Sequence, residues 1–103
     1  MNLEDFMNDV LYEFRDELEE LYDNQPRIEF KKQMPNPDDI AKIETKIYKA
    51  IVEWFTDNNV SISMDKAKFI YQTAKNMERH EVWLDEIFLW LERYLEFSLE
   101  LLK

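Results

Sequence analysis

The sequence predicts an all-α fold, a compact bundle of three to four helices with a proline-marked connector after the first. Three observations predict it. The 103 residues contain no glycine, so backbone that needs φ > 0 must rely on Asn or Asp, and a chain that avoids such positions is mostly helix. Apolar residues recur at spacings of three and four over most of the length, the period of an amphipathic helix. The three prolines, Pro26, Pro35 and Pro37, lie within one short stretch. An apolar content of 46% with 15% aromatics suffices for one folded domain over residues 1–103, despite a formal charge of −10.

The first helix is expected from Leu3 to Asp23. Asn2 is its N-cap, with Glu4 and Asp5 in the first turn, where the helix dipole favours acids. Leu3, Phe6, Met7, Val10, Leu11, Phe14, Leu18 and Leu21 form its apolar stripe. Asn24 to Asn36 is a connector with a net charge of +2. It reads as an ordered loop in which Ile28 and Phe30 pin the chain to the core, because one isolated strand cannot make a sheet. Asn36 caps the second helix, with Pro37 at its first position. Ile40, Ile43, Ile47, Ile51, Trp54 and Phe55 form the stripe, and Asn58-Asn59 supplies the left-handed stop that glycine would otherwise provide. Ser63 caps the third helix, whose apolar face holds Met64, Ala67, Ile70, Tyr71, Ala74 and Met77. At ~100° per residue that face lies nearly opposite to Ile87, Trp90, Tyr94 and Phe97. A break or kink near Asn76 to Glu81 is therefore expected. The last helix runs from about Glu81 to the C-terminus, with an apolar arc of roughly 200°, wider than packing on one side requires. It is either the central helix or carries a second face for a partner.

Most enzyme classes fail for want of residues. Cysteine is absent, which removes disulfides, thiolate nucleophiles and cysteine metal sites and fits a cytoplasmic location. His80 is the single histidine. His80-Glu81-Val82-Trp83-Leu84 begins like a zinc-protease motif, but Leu84 stands where the second ligand must be. Asp38 and Asp39 read as stabilisers of a helix N-terminus before they read as a cation site. No glycine means no phosphate-cradling loop. We therefore expect no enzymatic activity, no cofactor and no metal. The N-terminus lacks the basic start and long apolar run of a signal peptide. The longest apolar run, Ile87 to Leu91, is far short of the ~20 residues that span a bilayer. Negative charge disfavours direct contact with nucleic acid or an anionic membrane and favours a protein partner with a basic surface.

The strongest positive feature is the acidity of the first helix, nine acids against one base, Arg15. Asp5, Asp9, Asp16, Glu20 and Asp23 line one side, with Tyr12 near the middle. Neighbours three or four residues apart are separated by ~5–6 Å along the axis, a scale similar to the phosphate repeat of nucleic acid. Such a stripe suits a groove of Lys and Arg built for a nucleic-acid backbone. In composition the chain is similar to small inhibitors encoded by phages and mobile elements, a class that includes anti-restriction and anti-CRISPR proteins. That resemblance implies a DNA mimic that docks its acidic face into the basic groove of a nucleic-acid-binding enzyme. The alternative is an immunity-type or assembly module that binds through the apolar face of the last helix, around Trp83, Trp90 and Phe97. A homodimer pairing the acidic face of one copy with the basic stripe of another is a further option.

Overall fold

Short polar side chains begin the helices, as the local sequence requires. In the computed structural model, Asn2 Oδ1 accepts the Asp5 backbone N–H at 2.8 Å, and Asn36 Oδ1 accepts that of Asp38 at 2.9 Å. Ser63 Oγ accepts the Lys66 N–H at 3.1 Å. Each bond satisfies one of the donors that a helix start leaves unpaired. The structure describes residues 1–25, 34–76 and 84–103, together with the backbone of 27, 28, 31 and 32. Along the chain run α1 (Leu3–Phe6), a π-helical turn (Met7–Leu11), α2 (Tyr12–Asp23), β1 (Arg27–Ile28), β2 (Lys31–Lys32), α3 (Pro37–Asp57), α4 (Met64–Asn76) and α5 (Leu84–Leu102). α1, the π-helical turn and α2 follow one another without a break, so the fold is an all-α bundle of four helical rods.

The π-helical turn is absent from the expected pattern. Its wider turn carries i→i+5 hydrogen bonds and adds one residue relative to an α-helix. With that extra residue, Phe6, Met7 and Leu11 are all buried. Phe6 stacks on Trp54 of α3, ring centroids 5.3 Å apart.

The connector also differs from the expected loop. β1 and β2 pair antiparallel, Arg27 opposite Lys32 and Ile28 opposite Lys31. The connector is long enough to fold back on itself, so each short strand supplies the partner that a lone strand would lack. The expected anchoring by Ile28 and Phe30 lies outside the described side chains.

α3 ends as its Asn-Asn pair predicts. Asn59 has φ 64°, and the Val60 N–H reaches back to the Phe55 carbonyl at 2.8 Å. This is the helix stop usually built on glycine. α4 and α5 are separate helices packed together. The Tyr71 and Phe88 rings lie 6.4 Å apart, whereas one continuous helix would hold them ~25 Å apart. The segment of the expected break lies mostly outside the described residues.

The core forms where the stripes of all four rods meet. Leu11, Leu18, Ile47, Ile51, Phe55, Ile70, Tyr71, Ile87, Phe88, Leu91 and Leu95 are almost wholly buried. Close-packed side chains of this kind cost about 2–5 kcal/mol each when an aliphatic one is cut to alanine. The body is elongated, 50 × 23 × 22 Å. No described helix is long and apolar enough to cross a membrane.

Candidate functional site

Two outer surfaces and one inner cluster carry the chemistry of the described residues. The first surface is the acidic face of α1, the π-helical turn and α2. Asp5, Asp9, Asp16, Glu20 and Asp23 are all exposed. They do not form one straight stripe. The extra residue of the π-helical turn rotates Asp5 relative to Asp16, Glu20 and Asp23 by up to one residue step, ~100° in an α-helix. The acids therefore form an N-terminal group around Asp5 and a C-terminal group of three.

Arg15 changes the electrostatics of this face. Its guanidinium holds Asp16 at 2.9 Å and Asp85 of α5 at 2.9 Å, and lies 4.6 Å from the Tyr12 ring centre. The Asp16 hydrogen bond, with the charges of Asp16, Asp85 and Glu19, raises the Arg15 pKa above its already high ordinary value. Arg15 is thus a fixed positive charge inside the acidic face and offsets part of Asp16. Tyr12 is half-buried, with its ring 6.4 Å from Phe88. It belongs to the α2–α5 seam as much as to the outer surface. Glu17 is occupied by Lys46 of α3 at 3.4 Å. Asp5, Asp9 and Glu20 have no ion pair among the described residues. These three carboxylates of the acidic face are open to a basic partner.

The second surface lies on α5. The helix buries Ile87, Phe88, Leu91 and Leu95 and still exposes Trp90 at 39%, Phe97 at 54% and Leu101 at 67%. The wide apolar arc is therefore only partly internal. Tyr94 stacks on Phe97 with centroids 6.3 Å apart, and Arg93 lies over the Trp90 ring at 5.5 Å. Between these side chains and Thr73 and Ala74 of α4 runs an open groove of about 150 Å³. The apolar periodicity pointed to Trp90 and Phe97. It did not single out Arg93 or the α4 side of the groove, because helix pairing is not written in the pattern of one helix. Trp83 lies outside the described residues, as does His80.

The inner cluster joins α3 to α4. Glu44, only 7% exposed, accepts from Lys75 Nζ at 3.2 Å, and its charge acts on the neighbouring Tyr71 hydroxyl. Burial, then the charge of Glu44, pushes the Tyr71 hydroxyl far above the ordinary tyrosine range. Gln72 donates to the Tyr48 hydroxyl at 3.0 Å. The groups satisfy one another, which suits an internal clamp. Asp38 and Asp39 sit exposed in the first turn of α3. No group of three or more carboxylate or imidazole side chains able to hold a metal ion occurs among the described residues.

No known protein family, curated protein or solved structure matches this chain.

Proposed function

We propose that the protein acts by binding another protein, as a non-enzymatic inhibitor that sets the acidic face of α1 and α2 into the basic groove of a nucleic-acid-binding enzyme. The observation that carries this reading is the exposure of Asp5, Asp9 and Glu20, none of them in an ion pair among the described residues, on a chain of net charge −10. A partner rich in Lys and Arg gains charge-assisted hydrogen bonds from these carboxylates and is steered toward them before contact. Asp16, Asp23 and Tyr12 complete the contact surface. Inhibitors of the anti-restriction or anti-CRISPR type encoded by phages would use such a face in place of DNA.

The test is competition with duplex DNA for purified restriction and CRISPR nucleases, followed by fluorescence anisotropy at low and high salt. Displacement of DNA should weaken steeply with salt. It should disappear in the triple variant Asp5→Lys, Asp9→Lys, Glu20→Lys, with helicity unchanged by circular dichroism. Displacement that ignores salt, or survives the triple reversal, sinks the electrostatic mechanism.

A second reading has an observation of its own. Trp90, Phe97 and Leu101 are exposed beside an open apolar groove, and exposed aromatic anchors of this kind mark protein-binding surfaces. In this reading the protein is an immunity-type or assembly module that docks through α5, and salt leaves its binding nearly unchanged.

A further inference from the structure

The apolar face of α5 is complementary to itself. Its groove is floored by the small side chains Thr73 and Ala74 and rimmed by Trp90, Tyr94 and Phe97. A small floor with a bulky rim accepts a bulky side chain, and the chain displays such side chains next to that floor. A two-fold axis lets the ridge of each copy enter the groove of the other, the self-complementary contact of a symmetric dimer.

The charges agree with this arrangement. Arg93 lies on Trp90 at 5.5 Å and makes no ion pair with a described residue. Glu86 and Glu100, both exposed, stand seven residues to either side of it. At ~100° per residue the three lie within ~40° of one another, on one edge of the helix. In an antiparallel pair of α5 helices, the register that centres between Glu96 and Phe97 sets Arg93 of each copy against Glu100 of the other. The same register brings Trp90 alongside the Leu101 end of the partner helix.

We infer that this face of α5, with the α4 side of its groove, is the interface of an antiparallel homodimer. The inference rests on the second reading above, that the α5 face docks a protein, and commits its occupant to a second copy of this chain. It leaves the acidic surface open. α2 meets α5 at Phe88 and Asp85, and Phe88 lies ~160° around the helix from Trp90. A dimer therefore displays two acidic faces.

Light scattering with size exclusion tests this on the full chain across concentration and salt. The expected mass is twice the 12.7 kDa of the chain. The dimer should strengthen as salt rises, because salt screens the repulsion between two copies of charge −10 while apolar contact persists. Phe97→Glu should raise the dissociation constant by at least about tenfold, the scale of a central aromatic anchor. Arg93→Glu should weaken the dimer, and Arg93→Glu with Glu100→Arg should restore it. These positions are exposed, so the monomer fold is not at stake, and circular dichroism checks that.

A dimer that dissolves in salt, or one that survives Phe97→Glu, overturns the inference. A wild type that stays monomeric at every concentration overturns it too. In that case dye binding separates the two ideas. If the monomer binds an apolar dye and Phe97→Glu loses it, the α5 face is a docking surface for another protein. If the wild type binds no dye, the second reading fails as well.

Discussion

Glu44 is a buried carboxylate between two helices, and its neighbours decide how the fold responds to pH and mutation. Lys75 donates to it, and the Glu44 charge reaches the buried Tyr71 hydroxyl. Glu44→Ala leaves Lys75 without its acceptor. Breaking a fully buried pair costs about 3–5 kcal/mol. The Lys75 side chain keeps 29% exposure, so we expect about 2 kcal/mol, read by urea denaturation. Tyr71 sets an alkaline limit. Its folded-state pKa is raised, first by burial and then by Glu44, while in the unfolded chain it titrates near ~10. The stabilisation is fully present below about pH 10 and is lost as pH rises further, because the unfolded chain releases a proton that the folded one retains. Burial raises Tyr22 and Tyr48 in the same direction. The unfolding midpoint should hold steady up to about pH 9 and fall above about pH 10, and Tyr71→Phe should flatten that fall. A midpoint indifferent to alkali would contradict the burial of these hydroxyls.

At the scale of elements, the capped starts of the first three helices and the stop of α3 were legible and the π-helical turn was not. Asn2, Asn36, Ser63 and Asn59 act through bonds to backbone within a few residues, so their roles follow from local chemistry. Ser63→Ala should cost about 1 kcal/mol, seen as a lower thermal midpoint. The π-helical turn depends on partners that are remote in sequence. The Phe6 ring finds Trp54, and Met7 and Leu11 reach the common core. Deleting the exposed Asn8 tests this account. Four α-helical residues cover about the same rotation as the five of the π-helical turn, so Leu3–Phe6 keep their orientation to α2 and Phe6 keeps its place on Trp54. The expected change in stability is therefore small, under about 1 kcal/mol in urea denaturation. A loss of several kcal/mol would show that the turn does not act as a single extra residue. The candidate acidic site is affected in the same way. Its residues were legible one by one, whereas the rotation between Asp5 and the group at Asp16, Glu20 and Asp23 was not.

For the whole molecule, charge and shape act together. A body 50 Å long with net charge −10 repels itself over distances that low salt leaves unscreened. The Debye length falls from about 30 Å at 0.01 M to about 8 Å at 0.15 M. Exposed ion pairs among the described residues, such as Lys46 with Glu17, contribute about 0–1 kcal/mol each and lose it in salt. The surplus of acids outweighs them. Calorimetry should show the thermal midpoint rising by a few degrees over that range of salt. A falling midpoint would mean that the pairs outweigh the surplus.

By itself the sequence determined the helical class, the caps of the first three helices, the proline-marked connector and most core positions. It also determined that α5 has more apolar surface than one neighbour covers. These follow from composition, period and capping, which are properties of a residue and its near neighbours along the chain. Only the tertiary structure decided which part of the α5 arc stays outside, since that depends on where α4 lies. It also decided that Arg15 ties Asp16 to Asp85, a contact between residues far apart in sequence, and that a π-helical turn divides the acidic stripe. Side chains distant in sequence meet through the packing of whole helices, and the energy of that packing is shared among all of them.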